Sequence, residues 1–297
     1  MKSSESFFTV VGGDAMLGRA LFNFLNRNKK NVVKTSRRKD LEKERVYLDF
    51  SEESSWKNLL GCTDACIVGG VTDYWECKNN PEAKFINENC IPKLALFLCR
   101  NEIRVTFVSS NTVFGGEKPW PNEYDDHNPG LDYGKQKSNA EKKLLSMAEE
   151  DGVTDLIKIV RFSKILDVDT SPIPSWIQSW SRAEQTKAFK DLIFAPITLD
   201  YAVSYLSLIL ESKEPGFYHV SGSEDVDYVT FAKFLAKSLD YPSNLVSETT
   251  SLEAGIEIPF LPKFSGLGMT DTIKTFGIKG QNLDNVVKSL SFKLTKL

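Results

Sequence analysis

The sequence predicts an α/β protein in which a doubly wound parallel sheet is followed by a smaller C-terminal lobe. Two observations predict this fold. The first 165 residues alternate β-rich runs with runs of helical periodicity, and a glycine-rich turn joins the first strand to the first helix. Strands that alternate with helices pair in parallel through right-handed crossovers. We expect a sheet domain over residues 1–165 and a second lobe over most of 166–297, with parts of about 190–220 returning to the sheet domain.

The individual elements follow from residue periodicity. Each expected strand is a short run rich in β-branched and aromatic residues, and each expected helix has apolar residues three and four positions apart. The expected strands are 7–11, 31–35, 45–50, 64–68, 105–108, 156–160 and 217–220. The expected helices are 17–25, 81–98, 131–147, 199–211, 230–239 and 283–290.

Composition excludes several classes of function. The 297 residues carry 37 basic and 40 acidic side chains, a balance that argues against a nucleic acid or a membrane surface as the main partner. No run reaches the roughly 18 apolar residues of a membrane span. Two histidines argue against a histidine-based metal site, and five cysteines, an odd number, predict reduced thiols. We expect a cytoplasmic protein without a metal.

A glycine-rich turn follows the first expected strand and opens the first expected helix. Glycines in such a turn let the backbone approach a pyrophosphate, whose charge the helix N-terminus then stabilises. Ala15 stands where a G-x-x-G-x-x-G pattern has its middle glycine, and an ordinary strand-to-helix turn is the alternative. The residues expected to bind a dinucleotide here are Gly12, Asp14, Ala15, Met16, Leu17 and Gly18.

The end of the second expected strand indicates which dinucleotide is preferred. An acidic residue there binds the ribose 2′-hydroxyl of NAD, whereas an arginine accommodates the 2′-phosphate of NADP. This chain has Ser36, Arg37 and Arg38 at that place and no carboxylate before Asp40. We therefore expect NADP(H), with a solvated basic turn as the alternative.

Tyr133 and Lys137 lie four residues apart in an expected helix and so share one face. We expect the Lys137 ammonium to lower the pKa of the Tyr133 phenol, which allows proton transfer near neutral pH. Ser110 ends an expected strand at the carboxyl edge of the sheet, where its hydroxyl can orient a carbonyl oxygen. An exposed Tyr–Lys pair on a solvated helix is the alternative.

In this order and spacing, the glycine turn, Ser110 and Tyr133-x-x-x-Lys137 resemble the extended short-chain dehydrogenases/reductases. Within them, the chain is similar over nearly its whole length to the dTDP-4-dehydrorhamnose reductases and related sugar-nucleotide reductases and epimerases. The segment VSSNTVFGG at 108–116, for example, is similar to the STDYVFDG motif of those enzymes. The resemblance implies a Rossmann domain with a substrate-binding lobe.

The resemblance also implies roles for individual residues. Ser110, Tyr133 and Lys137 correspond to catalytic residues, and Tyr133 and Lys137 also to cofactor-binding ones. Further cofactor residues that it implies are Asp49, near the adenine, Gly69 and Asn87. The residues expected on the substrate side are Val71, Asn111, Thr112, Lys164, Trp176 and Lys263. Departures from the family pattern, which bear on the identity of the substrate, are Ala15, Gly69-Gly70-Val71, Asn111 and Lys263.

The substrate side is expected where segments 162–198 and 259–270 face each other across the carboxyl edge of the sheet. A nucleotide diphosphate needs local cations in a slightly acidic chain, and the candidates are Lys263 first, then Lys164 and Arg182. Trp176 and Trp180, four residues apart, form either a nucleobase platform or core packing.

These patterns predict an enzyme that reduces a nucleotide-activated keto sugar with NADPH. One alternative is a sugar-nucleotide epimerase that retains tightly bound NAD(P). Another is a non-catalytic regulatory subunit that keeps an NADP pocket. A nucleotide sugar is the expected partner, and a homodimer is a further expectation.

Overall fold

The computed structural model describes residues 6–39, 44–258 and 260–296, so that Asp40 and Pro259 lie outside the described residues. The strands within them, in chain order, are β1 (Phe7–Val11), β2 (Asn31–Ser36), β3 (Arg45–Tyr47), β4 (Asp64–Ile67), β5 (Arg104–Ser110), β6 (Ile157–Phe162), β7 (Lys164–Leu166), β8 (Thr186–Phe189), β9 (Ile193–Phe194), β10 (Pro196–Thr198), β11 (Gly216–Val220), β12 (Val226–Asp227) and β13 (Val246–Thr249). The α-helices are α1 (Met16–Arg27), α2 (Glu53–Trp56), α3 (Tyr74–Asn79), α4 (Pro81–Phe85), α5 (Ile91–Arg100), α6 (Asp132–Asp151), α7 (Ile173–Trp180), α8 (Leu199–Glu211), α9 (Tyr228–Ser238), α10 (Thr270–Phe276) and α11 (Leu283–Leu294).

Seven strands form one sheet in the order β11-β6-β5-β4-β1-β2-β3, and each neighbouring pair is parallel. The chain runs outward from β1 to β3, crosses back to β4, and then runs outward to β11. Adjacent strands β1 and β4 therefore connect toward opposite edges, and ligands of such sheets bind at the carboxyl ends of strands at this point. The doubly wound parallel sheet is confirmed.

Helices cover both faces of the sheet. On one face α1 and α8 bury apolar residues such as Leu21 and Leu206, and on the other α5 and α6 bury residues such as Leu94 and Leu144. Strand β6 is buried along its whole length, as expected for a parallel strand covered by helices on both faces. None of the helices in the described parts of the chain is both long and apolar enough to cross a membrane.

Several boundaries differ from those that the sequence predicts. The expected helix 81–98 contains a π-helical turn, Ile86–Cys90, between α4 and α5. Pro92 carries no amide hydrogen for the carbonyl oxygen of Glu88, so the regular α-helical ladder is interrupted there. Strand β3 ends at Tyr47 rather than at residue 50. Helices α2, α3 and α10 have four to seven residues, too few for a clear helical period.

The C-terminal part of the chain builds a third hydrophobic core, from residues of α7, α9 and α11 among others. Three two-stranded sheets lie in this part: β7–β10 and β8–β13 are parallel, and β9–β12 is antiparallel. Strand β11 instead joins the large sheet beside β6. The domain boundary near residue 165 stays a prediction.

Candidate active site

A large cleft, here called the central cleft, opens at the carboxyl edge of the parallel sheet. Its volume is about 900 Å³, which is within the range of small-molecule sites. Strand ends and the glycine turn line one side, and the C-terminal part of the chain lines the other. The lining segments include 15–17, 72–75, 108–112, 162–165, 192–194, 257–258 and 264–267, together with Lys118, Tyr133 and Lys137.

The glycine turn lies tightly against the end of β4. Gly12 has a φ of +92°, and a Cβ at this residue would lie 2.5 Å from the Cα of Gly69. A Cβ on Gly18 would collide with the carbonyl oxygen of Gly12. No side chain caps the N-terminus of α1 after Ala15, and the first turn of this helix has no acidic residue. Uncapped amide groups and the positive end of the helix dipole therefore line the cleft, and this arrangement fits a pyrophosphate.

The end of β2 combines basic residues with a carboxylate that the sequence pattern missed. The Ser36 hydroxyl donates to Asp14 Oδ2 at 2.6 Å and accepts from the backbone amide of Arg38 at 3.0 Å. The guanidinium of Arg45 lies 3.7 Å from Asp14 Oδ1. Arg37 and Arg38 are exposed. The turn after β1 thus brings an acid to the place where the sequence predicts only basic groups.

Tyr133, Lys137 and Ser110 all line the central cleft. The first turn of α6 carries Tyr133, and the next turn carries Lys137, which is 5% exposed. Lys137 Nζ donates to the carbonyl oxygen of Val108 in β5 at 3.1 Å. The ring of Tyr133 lies 5.8 Å from that of Tyr74, centroid to centroid. The three residues that the sequence pattern predicts to be catalytic are thus brought to one cleft.

The pKa of Tyr133 moves opposite to the predicted direction. Burial raises this pKa, and the nearby Tyr74 adds to the effect, because a phenolate loses solvation in an apolar cleft. Burial also lowers the pKa of Lys137 to about 8, with Glu141 acting in the opposite direction. The prediction that Lys137 lowers the pKa of Tyr133 is therefore not met in this structure. At neutral pH Tyr133 is protonated, which is the form that can donate a proton.

Asp49 and Asn87 do not line the central cleft. Asp49 Oδ1 accepts from the amide and the hydroxyl of Ser51 at 2.9 and 2.7 Å, and its predicted place beside the adenine stays a prediction. Asn87 is 2% exposed, and its side-chain amide pairs with both backbone groups of Val71 at 2.9 and 3.0 Å. It also donates to Gln136 Oε1 at 2.8 Å. Asn87 and Val71 therefore support the wall of the cleft from behind, and Gln136 is a member of this support that the sequence pattern did not reveal.

The residues after β5 form a hydrogen-bonded turn at the cleft. Ser110 Oγ accepts from the Thr112 amide at 3.2 Å and from the Thr112 hydroxyl at 3.0 Å. Asn111 Nδ2 donates to the carbonyl oxygen and hydroxyl of Ser265 at 2.8 and 2.9 Å. These bonds tie the end of the large sheet to the C-terminal loop on the other side of the cleft.

Of the cations expected near the substrate, Lys164 lines the central cleft. Lys118, which the sequence pattern missed, also lines it. Lys263 is exposed and does not line the cleft, although its neighbours in the chain do, and its backbone amide donates to Gly116 at 3.1 Å. Arg182 is also exposed and outside the lining. The structure thus favours Lys118 and Lys164 over Lys263 as ligands of an anion.

Trp176 is part of a hydrophobic core rather than of the cleft lining. It is 4% exposed, and its ring stacks on that of Trp180 with centroids 5.9 Å apart. Phe231 packs against the same ring, and Trp180 Nε1 donates to Thr186 Oγ1 at 2.9 Å. Of the two interpretations of this tryptophan pair, core packing is the one that the structure supports. The placement of Trp176 on the substrate side is corrected accordingly.

Metal and thiol chemistry have no visible site in the described part of the chain. No group of three or more His, Cys, Asp or Glu side chains there is suited to hold a metal ion. The five cysteines are buried free thiols. Burial raises the pKa of Cys66 and of Cys99 to about 12, so both thiols stay protonated at neutral pH.

The fold and the cleft together define a class, the extended short-chain dehydrogenase/reductase type of Rossmann protein. The chain belongs to the family described as the RmlD substrate binding domain, whose model matches residues 8–295. A sequence search of curated proteins finds no significant match.

Solved structures with the same fold cover almost the whole chain. The dTDP-4-dehydrorhamnose reductase from Bacillus anthracis in complex with NADP has a TM-score of 0.82 and 16% identity, covering 99% of this chain and 100% of that one. The corresponding reductase from Yersinia enterocolitica has a TM-score of 0.81 and 17% identity, covering 97% and 99%. The UDP-glucose 4-epimerase from Thermotoga maritima with UDP-glucose has a TM-score of 0.81 and 14% identity, covering 97% and 98%.

Proposed function

We propose that the chain is an NADPH-dependent reductase of a nucleotide-activated keto sugar. The observation that carries the proposal is the meeting of Ser110, Tyr133 and Lys137 in one cleft that also contains the uncapped N-terminus of α1. Membership of the RmlD substrate binding domain family supports it. The relatives with the same fold include reductases and an epimerase that act on sugar nucleotides.

The dinucleotide would lie along the glycine turn. Gly12 and Gly18 allow close approach of the backbone, and the amides at the start of α1 would bind the pyrophosphate. Ser36, Arg37 and Arg38 would bind the adenosine ribose, and the two exposed guanidiniums favour a 2′-phosphate. When bound, the nicotinamide supplies the hydride.

The residues of this chain would move the proton and hold the carbonyl group. Tyr133 is protonated at neutral pH because burial raises its pKa, so it can donate its proton to the carbonyl oxygen of the substrate. The Ser110 hydroxyl, at the end of β5, would orient the same oxygen. Lys137, fixed to the Val108 carbonyl, would hold the nicotinamide ribose through its ammonium.

The nucleotide sugar would occupy the part of the central cleft beyond Tyr133. Asn111 and Thr112 line this part from the sheet side. Lys118 and Lys164 are the lysines besides Lys137 in the described lining, and we assign the diphosphate to them. The lining also contains aromatic side chains, of which Trp75 is 68% exposed and available to a ligand.

The test follows NADPH absorbance at 340 nm while purified protein is mixed with dTDP-4-dehydrorhamnose or with a UDP-4-keto sugar. A reductase consumes NADPH in proportion to the sugar that is reduced. Isomerisation of a sugar nucleotide without net consumption would instead identify an epimerase. Tight binding of NADPH without turnover of either sugar would overturn the catalytic proposal and indicate a regulatory subunit.

A further inference from the structure

A cluster of polar side chains lies behind the wall of the central cleft, between β5, α6, β6 and β11. We call it the buried polar cluster. Each member is at most about half-buried to fully buried, and Glu141, Arg161 and His219 are 2% exposed or less. Its members are Ser109, His127, Glu141, Arg161 and His219.

Glu141 is the anion of this cluster. Its carboxylate accepts from Arg161 Nη2 at 2.6 Å and from Arg161 Nε at 3.1 Å, and it also accepts from the Ser109 hydroxyl. A buried ion pair of this kind contributes little net stability over apolar packing, because both charges lose their solvation. Its presence directly behind catalytic residues is therefore a reason to look for a role in the site.

The two histidines are neutral members of the cluster. Arg161 has only donors to offer, so both His127 and His219 accept from it through Nε2, at 3.0 and 3.2 Å. The Nδ1 hydrogens are then donated to Ser138 Oγ and to the Gly268 carbonyl oxygen, at 2.8 and 2.6 Å. Burial lowers the pKa of both rings, which agrees with these neutral forms. Glu141 and Arg161 are thus the charged members of the cluster.

Glu141 also lies on the catalytic face of α6. Tyr133, Lys137 and Glu141 follow one another at intervals of four residues, which places them along one side of the helix. Lys137 donates to the carbonyl oxygen of Val108, and Glu141 accepts from Ser109, the next residue of β5. Two successive turns of α6 are therefore tied to two successive residues of β5, immediately before Ser110.

The environment of Lys137 contains little else that can hold its charge. Its ammonium lies 5.0 Å from the centroid of the Phe107 ring. Burial lowers its pKa to about 8, while Glu141 and then Cys77, from α3, act in the opposite direction. The pKa of the Cys77 thiol is itself raised by burial, so this group is neutral at physiological pH. Glu141 is therefore the anion that favours the charged form of Lys137.

We propose that Glu141 is a positioning residue that keeps Lys137 in its ammonium form and fixes α6 against the end of β5. The role rests on the proposed function, in which that ammonium holds the nicotinamide ribose. Glu141 acts through Lys137 and Ser109 and does not itself line the central cleft.

The test measures the protonation of Lys137 directly, by NMR titration of protein labelled with ¹³C at the lysine Cε. The Lys137 signal is assigned from its absence in Lys137→Met. In the wild type we expect a midpoint near the pKa of about 8. Glu141→Gln keeps the shape of the side chain and removes its charge, so the midpoint moves down by about one pH unit.

Three further variants separate charge from structure. Ser109→Ala removes the tie to β5 and keeps the carboxylate, so the midpoint of Lys137 stays where it is. Glu149→Gln, an exposed residue of the same helix, also leaves it unchanged. If Glu141→Gln leaves Arg161 unpaired and fails to fold by circular dichroism, Glu141→Gln combined with Arg161→Met removes both charges, and the same downward shift is expected.

NADPH binding, followed by fluorescence, gives the functional consequence. For a shift of about one unit, Glu141→Gln binds NADPH roughly threefold more weakly at pH 7.5 and almost normally at pH 6, where Lys137 is charged in both proteins. An unchanged Lys137 midpoint in a folded Glu141→Gln protein would overturn the positioning role. If the wild type bound neither NADPH nor NADH, the proposed function would fail, and the NMR titration would still decide the role of Glu141.

Discussion

The large sheet and the C-terminal part of the chain are built from contacts of different range. In the sheet, consecutive strands such as β1 and β2 are joined by one helix and pair in parallel. In the C-terminal part, β8 pairs with β13, about 60 residues later in the chain, with Thr186 opposite Val246. The first region is therefore encoded by local periodicity, whereas the second depends on tertiary pairing between distant short segments.

The same difference divides the candidate site. Its cofactor end is one short turn and one helix N-terminus, whereas its substrate end combines five or more separate segments, among them 108–112, 162–165 and 264–267. The chemistry that we propose belongs to the first region, and the choice of substrate belongs to the second. Each prediction below alters one region and asks whether the other is unaffected.

The largest effect is expected from Tyr133→Phe, which removes the proton donor of the sheet region. Turnover should fall by about 10²–10⁴-fold, while NADPH and nucleotide affinities stay near those of the wild type, because the ring and its packing against Tyr74 remain. Steady-state kinetics and fluorescence titration measure the two quantities. Full activity of this variant on a substrate would show that Tyr133 is not the donor.

The next largest effect is expected in the core of the C-terminal part. Trp176→Ala removes a 4%-exposed ring and should lower the free energy of unfolding by about 3–5 kcal/mol, which chemical denaturation can measure. The exposed residue Trp75 provides the matched control, since Trp75→Ala should leave stability nearly unchanged. A stable Trp176→Ala protein with weakened nucleotide binding would restore the nucleobase platform.

Arg37→Ala tests the cofactor end alone. Loss of a charge-assisted hydrogen bond to the 2′-phosphate should weaken NADPH binding by about ten- to hundredfold and leave NADH binding nearly unchanged. Asp14→Asn is the matched variant, and it should strengthen NADPH binding because it removes the carboxylate beside Ser36. Tighter binding of NADH than of NADPH by the wild type would contradict the assignment.

The smallest effect is expected from the lysines of the substrate end. Lys118→Met and Lys164→Met should each weaken the binding of dTDP or UDP by about tenfold at low salt, and less as salt screens the charges. Lys263→Met should have no effect, since Lys263 lies outside the cleft lining. Isothermal titration calorimetry at two salt concentrations distinguishes these variants. Equal losses in all three would indicate only a general effect of charge.

The sequence predicts the sheet and the Ser110–Tyr133–Lys137 set because each depends on local period or on a short motif. It does not predict that Asp14 reaches Ser36, since this contact joins positions 22 residues apart across two elements. Tyr74 was missed because α3 has six residues and no clear period. Lys118 and Lys263 are alike as sequence symbols, and only the course of the surrounding loops places one of them in the cleft.

The direction of the Tyr133 pKa shows another limit of sequence patterns. The spacing of Tyr133 and Lys137 shows that they share a helical face, but it contains no measure of burial. In the structure, burial is the largest cause for both groups, raising the pKa of Tyr133 and lowering that of Lys137. Solvation is a property of the whole cleft, to which distant segments contribute.

The most direct test of the account is a crystal structure of the protein with NADPH and dTDP. The account predicts the pyrophosphate of NADPH at the N-terminus of α1, the nicotinamide beside Tyr133 and Lys137, and the dTDP diphosphate against Lys118 and Lys164. A nicotinamide distant from Tyr133, or dTDP bound outside the central cleft, would contradict it.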